Sequence, residues 1–346
     1  MQTFREIEIS GDAHQRGVMH GEQLSVEIAE AIAIYGSAFG LSESAVFEQA
    51  AHFSQVIADF NADYAAEIDG IAEGSGQDVR WITALNARTE ILALKNLSTA
   101  RVASNECTSM CFGAAPVLGQ TWDWGQPLEV LCAMFRIERP DGHVIRMMSE
   151  PGIIGKIGMN SAGVGVCLNI LTLVGYRLGG VPIHVMLRAI LDCTSTAEAA
   201  AMIDSAAAGK SSNVIVADKT GDCFDREFAG PETMLPDRFN GNLIHTNHYL
   251  SREINGHDDP LFFNSRTRMA RAMNRVSAAE EPTASAMIDI LSDRTDNPFP
   301  IFREYLPDEE FGAVGTVATI VMDLAAGEMH VRKGSDPETG FKVYQA

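Results

Sequence analysis

The sequence predicts an α+β protein: a helical N-terminal segment, then antiparallel sheets with helices packed on their outer faces. Three observations lead there. Apolar residues recur at helical spacing from Ser25 to about Asn96. From Cys107 onward the texture changes to short β-rich runs punctuated by Gly, Asn and Asp. Helical patterns then return among those runs, and hairpin-like strands interleaved with helices suit layers of helix on sheet.

In the first segment Ile28, Ile32, Tyr35 and Phe39 mark one helical face, Phe53, Ile57, Phe60 and Tyr64 another, and Ile68 and Ile71 follow. Gly74-Ser75-Gly76-Gln77-Asp78 breaks the run, and Asp78 can cap a helix that carries Trp81, Leu85 and Ile91. Past Cys107, the runs Met110-Cys111-Phe112-Gly113, Met134 to Glu138 and Gly163 to Leu168 read as strands, with Asp141-Gly142 a good hairpin turn. Pro182 to Asp192 and the Ala-rich run to Ala208 read as helices, and Val214 to Ala217 and Cys223 to Phe228 as strands. Leu243-Ile244 looks like a strand leading into a loop. No repeat, low-complexity run or linker divides the chain.

Composition narrows the function classes. A hydrophobic fraction of 46% and a charged fraction of 21% over 346 residues describe a globular chain with a sizeable core. Lys and Arg total 26 against 46 Asp and Glu, and the net charge of -20 opposes binding to nucleic acid or anionic lipid. The opening Met1-Gln2-Thr3-Phe4-Arg5-Glu6 has no basic region leading into an apolar run, and no stretch reaches bilayer-spanning length. A cytoplasmic protein without membrane or nucleic-acid partners is the expectation. Cys107, Cys111, Cys132, Cys167, Cys193 and Cys223 are widely spread, and the one close pair lacks CxxC spacing, so reduced and mostly buried thiols are expected. With no adenine-binding glycine loop, P-loop or metal cluster apparent, no cofactor is expected. His245 and His248 could share a helical face as a metal fragment, but their strand-to-loop setting argues against a metal site.

The stretch Asn105-Glu106-Cys107-Thr108-Ser109, with Trp122-Asp123-Trp124 soon behind it, carries the chemistry. A Cys freed as a new N-terminus has its own α-amino group as the nearest base, so nucleophile and base share one residue. On local sequence alone, a buried apolar thiol is the competing reading. The neighbouring motifs Asn86-Ala87-Arg88-Thr89-Glu90-Ile91, Glu106-Cys107-Thr108, Gly119-Gln120-Thr121-Trp122-Asp123-Trp124, Gly158-Met159-Asn160-Ser161-Ala162-Gly163-Val164-Gly165 and His245-Thr246-Asn247-His248-Tyr249-Leu250 occur in order. Smaller echoes run from Gly17-Val18-Met19-His20-Gly21 to Ile320-Val321-Met322-Asp323-Leu324. Together, over nearly the whole chain, they resemble the acyl-coenzyme A:6-aminopenicillanic acid acyltransferase family, the C45 group of self-processing Ntn-hydrolases.

The resemblance implies an αββα sandwich and a cut between Glu106 and Cys107, giving an α chain of 1–106 and a β chain of 107–346 that stay associated as one structural domain. Relatives commonly carry Gly where this chain has Glu106. Carried over by resemblance, Cys107 is the nucleophile, Asp123 orients its α-ammonium, and Asn247 supplies the side-chain amide of an oxyanion hole. Asp123 has a plainer reading, a turn-forming Asp beside core tryptophans. Arg88 and Glu90 are expected to form ion pairs below the site, Thr108, Asn169 and His248 to support it or line the pocket, and Cys111 to share the face of Cys107 as a core thiol. An arginine late in the chain helps the site in some relatives, and here Thr316 and Thr319 stand where it would be sought. The leading function is hydrolysis of a small N-acyl amide through an acyl-thioester on Cys107. Acyl transfer from an acyl-CoA donor is the alternative, and an unprocessed binding or scaffold protein is the alternative from another class.

Overall fold

The computed structural model describes residues 2–96, 107–171, 179–206, 208–209, 211–229, 232–251, 264–295 and 300–346; Glu106 lies outside the described residues. Strand β1 (Arg5–Ser10) is followed by helices α1 (Ala13–Gln23), α2 (Ser25–Phe39), α3 (Glu43–Phe60), α4 (Ala62–Ser75), α5 (Val79–Asn86) and α6 (Arg88–Asn96). Strands β2 (Thr108–Cys111), β3 (Val117–Gly125), β4 (Ala133–Glu138), β5 (Val144–Ser149), β6 (Ile157–Asn160) and β7 (Val164–Ile170) come next. Helices α7 (Ile183–Leu191) and α8 (Thr196–Ser205) lead to β8 (Ser212–Asp218), β9 (Cys223–Ala229), β10 (Glu232–Met234) and β11 (Leu243–His245). The chain closes with α9 (Ser265–Ala278), α10 (Ala284–Leu291), β12 (Leu306–Asp308), β13 (Gly312–Asp323), β14 (Glu328–Lys333) and β15 (Lys342–Gln345).

The strands form two sheets. One has the order β1-β4-β5-β6-β7-β8-β9-β10, the other β11-β2-β3-β13-β14-β15 with β12 beside β13. Their inner faces meet: the Gln120 amide accepts from Leu168 N–H at 2.7 Å and donates to Leu168 C=O at 3.3 Å, and Leu118 and Leu324 close over Gly165. Helices α7 and α8 cover the outer face of the first sheet, and α9 and α10 that of the second. The layers are therefore αββα, each sheet burying one face on its partner and the other on helices. No helix among the described residues is long and apolar enough to cross a membrane.

The helical segment is placed by a few local devices. Asp78 accepts from Arg80 N–H and caps α5 as its sequence position predicts. That helix does not reach Ile91. It ends at Asn86, with Ala87 as its cap, and α6 begins anew, because the Asn86 side chain is committed to tertiary partners: it donates to Gly152 C=O at 2.8 Å and accepts from Ile154 N–H at 2.9 Å. The expected Ala-rich helix stops at Ser205. Helices α1 and α4 cross at backbone contact through Gly17 and Gly21 against Gly70 and Gly74. A Cβ on Gly17 would lie 2.1 Å from Glu67 C=O, and one on Gly74 2.2 Å from Val18 C=O. Buried beside this crossing, Glu67 accepts from Arg16 (2.9 Å) and from Arg188 of α7 (2.7 Å), which pins the helical segment to the outer layer.

Arg5–Ser10 does not belong to the helical unit. As β1 it adds a parallel strand to the edge of a sheet that is otherwise antiparallel, pairing with Ala133 to Glu138 of β4. The alternation Ile7 and Ile9 inward, Glu6 and Glu8 outward, is the period of a strand buried on one face. Trp122-Asp123-Trp124 is likewise strand, within β3, and the turn reading of Asp123 does not hold.

Candidate functional site

Cys107 stands immediately before β2, where alternation along the strand sorts the side chains. Cys107, Ser109 and Cys111 face the other sheet, as Ser109 shows by donating its hydroxyl to Asn169 of β7. Thr108 and Met110 face outward, toward α9. Cys107 and Cys111 thus share a face, as the strand reading requires.

Three side chains from distant parts of the sequence hold the main chain of Cys107. Its N–H donates to Asn247 Oδ1 at 2.9 Å. Its C=O accepts from Asn169 Nδ2 at 3.0 Å and from Arg268 at 2.7 Å. The Arg268 guanidinium also donates to Thr108 Oγ1 at 2.9 Å and to Asn247 Oδ1 at 2.8 Å, so one planar cation ties β2 to the loop after β11. Asn247 Nδ2 donates to Ile170 C=O at 3.0 Å, using one of the two hydrogens on that nitrogen.

The thiol itself sits against the main-chain N–H of Asp123. Burial pushes the Cys107 thiol up to about 12, and the Asp123 carboxylate adds to that. The Asp123 N–H and the charges of Arg268 and Lys156 pull the other way. The carboxylate of Asp123 accepts from Thr316 Oγ1 at 2.7 Å, and Thr316 in turn accepts from Arg303 N–H at 2.9 Å. Thr316, noted in the sequence where an arginine would be sought, therefore reaches the site through Asp123. Thr319 lies elsewhere, accepting from Arg332 at 3.3 Å.

A buried ionic cluster lies beneath Trp122 and Trp124. Arg88 donates to Glu150 at 2.7 Å, and Lys156 and the Tyr35 hydroxyl also reach that carboxylate. Lys156 Nζ lies 3.6 Å from the centre of the Trp122 ring, and Arg88 is 4.7 Å from that of Trp124. Burial alone would raise the Glu150 carboxyl, but Arg88 and Lys156 prevail and hold it well below the usual range. Burial lowers the Lys156 ammonium to about 8 despite the carboxylate beside it. Glu90 accepts from Ile183 N–H at 2.9 Å, setting an acid at the start of α7 where the helix dipole favours one.

His245 and His248 are engaged apart from each other. His245 bonds Glu227 at 2.8 Å across the sheets. Burial would lower its imidazole, yet Asp225 and Glu227 raise it. His248 pairs with Ser265 Oγ at 2.8 Å, and that hydroxyl accepts from Asn247 N–H at 2.7 Å, so His248 braces the Asn247 loop at one remove. Burial pushes its imidazole down to about 4. Glu227 also accepts from Leu250 and Ser251 N–H, closing that loop. Among the described residues, no three His, Cys, Asp or Glu side chains converge on a metal-sized space.

Arg268, Lys156 and Glu150 are the residues that sequence reasoning passed over. Arg268 had a legible signal: with Ser265, Ala272 and Val276 it falls on the buried stripe of α9, where a cation needs a partner.

The chain is similar to known proteins along most of its length. Residues 112–337 match the family model described as acyl-coenzyme A:6-aminopenicillanic acid acyl-transferase. The 40 kDa form of the acyl-coenzyme A:6-aminopenicillanic-acid-acyltransferase of Emericella nidulans is 31% identical, over 97% of this chain and 94% of that protein. Solved structures give looser likenesses. A mutant form of the conjugated bile acid hydrolase of Clostridium perfringens has a TM-score of 0.49 at 13% identity, over 70% of this chain and 92% of that one. A penicillin V acylase of Agrobacterium tumefaciens has a TM-score of 0.45 at 14% identity, over 67% and 84%. With a family model matched over more than half its length and a full-length relative at this identity, the chain belongs to the acyl-coenzyme A:6-aminopenicillanic acid acyltransferase family.

Proposed function

We propose that this protein is a self-processing enzyme of amide bonds, cutting its own chain between Glu106 and Cys107 and then hydrolysing a small N-acyl amide through an acyl-thioester on Cys107. The observation that carries the reading is the grip on Cys107: Asn247 on its nitrogen, Asn169 and Arg268 on its carbonyl, and the Asp123 N–H on its sulfur. Any buried residue needs main-chain partners, but a structural thiol does not need three side chains from distant segments to converge on them.

With burial pushing the thiol up to about 12, almost none of it is ionised at pH 7. The thiol therefore needs a base. A freed α-amino group, with a pKa of about 7.7–8.0, supplies one on the same residue, and Asn247 Oδ1 is already placed to orient it. The thiolate attacks the acyl carbon, and the amine leaves after taking a proton from the α-ammonium. Water then attacks the thioester carbon with the α-amine again as base, the C–S bond breaks, and the Cys107 sulfur recovers a proton from the α-ammonium as the carboxylic acid leaves. The second hydrogen on Asn247 Nδ2 suits an oxyanion donor, and loss of one such donor costs about 10²–10³ in rate.

The cut leaves two fragments that stay associated. The parallel pairing of β1 with β4, and the ion pairs Glu67–Arg188 and Arg88–Glu150, all cross from residues 1–106 to residues 107–346. Every group invoked belongs to the chain, so the reaction calls for no cofactor. Acyl transfer to an amine is the second reading, favoured by the name of the Emericella nidulans relative. The net charge of -20 is a poor match for an anionic CoA donor and favours hydrolysis.

The test is the intact mass, under denaturing conditions, of wild type and of Cys107→Ala. Two fragments from wild type, broken before Cys107, with the variant whole, are expected. A single full-length mass for both after prolonged incubation would overturn the reading. Assay of the processed enzyme on amides, with and without an amine acceptor, then separates hydrolysis from transfer.

A further inference from the structure

Away from the nucleophile, the gap between the sheets holds a second pair of sulfurs. Cys223 opens β9 and is half-buried, and its inward neighbours at alternate positions are Asp225 and Glu227. Cys111 closes β2 and is fully buried. The two thiols are within hydrogen-bonding reach of each other, one on each sheet. The turn before β11 is built around them. Arg238 donates to Cys223 Sγ at 3.2 Å and to Gly241 C=O at 3.2 Å, and Gly113, two residues past Cys111, donates to Asn242 Oδ1 at 3.0 Å. A guanidinium on a partly exposed sulfur, backed by a buried thiol, is the arrangement that makes a cysteine reactive and gives its oxidised form a partner.

We propose that Cys223 is a hydroperoxide-reactive thiol and that Cys111 resolves it, closing a reversible disulfide between the two sheets. In the first step the Cys223 thiolate attacks one oxygen of the peroxide. An S–O bond forms, the O–O bond breaks, and the leaving oxygen takes a proton to become water or an alcohol. In the second, Cys111 sulfur attacks the Cys223 sulfenic acid. The S–S bond forms, the S–O bond breaks, and the departing hydroxide leaves as water with the Cys111 proton. Two thiols lose two electrons and the peroxide gains them; a cellular dithiol reverses the bond by exchange. The electrostatics agree. Cys111 hydrogen-bonding and the Arg238 guanidinium hold the Cys223 thiol down at about 6, against burial and Asp222. Both cysteines lie in 107–346, so the proposal does not depend on self-processing.

The experiment exposes native wild type, Cys107→Ala and Arg238→Ala to stoichiometric hydrogen peroxide, then maps peptides without reduction. The expected result is a Cys111–Cys223 linked peptide in wild type and Cys107→Ala, reversed by dithiothreitol. Cys111→Ser should instead leave Cys223 as a sulfenic acid trapped by dimedone. In Arg238→Ala, the pH of half-maximal Cys223 alkylation by iodoacetamide should rise from about 6 toward the ordinary thiol value of about 8.5. Cys223 left unmodified, or oxidised in wild type without any link to Cys111, would overturn the proposal. An unchanged alkylation profile in Arg238→Ala would overturn the role of the guanidinium in it.

Discussion

Replacing Arg268 by Lys tests the geometry of the site most directly, because the change keeps the charge and removes the fork. At the site the guanidinium serves Cys107 C=O, Thr108 Oγ1 and Asn247 Oδ1 at 2.7–2.9 Å, and its Nε also reaches Asn264 Oδ1 at 3.5 Å. Hydrogen bonds to a charged group contribute about 1.5–3 kcal/mol each. A lysine ammonium is a compact point on a flexible stem and can hold one or two of these acceptors, so about 2–4 kcal/mol of positioning is lost. Where that loss falls on the transition state, it becomes a fall in rate of about 30- to 1,000-fold. The assay is the rate of appearance of the two fragment masses during refolding, followed by turnover of an amide substrate by whatever enzyme has processed. A melting curve accompanies both, since a purely structural role would lower the midpoint and leave the turnover of folded enzyme intact. Turnover of the folded enzyme within twofold of wild type, whether or not the melting point falls, would refute the argument that Arg268 aligns Cys107.

Three further outcomes follow from the packing. Arg88→Met should cost about 3–5 kcal/mol in urea unfolding, since it strips a buried partner from Glu150, and adding Glu150→Gln should recover part of the loss. Gly70→Ala places a methyl 2.3 Å from His14 C=O, and overpacking of about 1–3 kcal/mol should exceed the gain in helix propensity of about 1 kcal/mol, so the melting point should fall. Burial raises the Asp225 carboxyl from 3.8 to about 6, so the native state binds its proton more tightly than the unfolded one. That penalty is absent below the unfolded value, grows as pH rises through the folded one, and is complete above it. Asp225→Asn should therefore stabilise the protein by about 2 kcal/mol more at pH 7.5 than at pH 4; an equal effect at both would contradict the assignment.

Most of the helical and strand content was legible because periodicity survives in the sequence wherever one face is buried. Ile28, Tyr35 and Phe39 of α2 and Phe53 and Ile57 of α3 do face the core. What escaped was set by partners far along the chain. β1 carries the alternation of a strand, but its pairing with β4 beyond the helical segment is a tertiary event. α5 ends where Asn86 turns to serve Gly152 and Ile154. Trp122-Asp123-Trp124 mimics a turn because its Asp meets Thr316, far along the chain on a neighbouring strand. The site divides in the same way. Cys107, Asp123 and Asn247 could be named from motifs, and the fold brings them together with Asn169, expected only as a residue lining the pocket. Arg268 could not be named from the motifs, since an arginine in a helix gives no hint of which carbonyl it will meet.

The pairing of β1 with β4 also bears on how the molecule is made. Arg5 lies opposite Ala133, a separation of 128 residues, the difference of the two numbers. A strand made before its partner cannot dock until that neighbour has been synthesised and has turned to meet it, and such distant pairings slow folding. Asn247 and Arg268 are synthesised later still. A nascent or truncated chain would then hold its cysteine without the groups that grip it. On the self-processing proposed above, the order of the sequence would act as a timer on the cut.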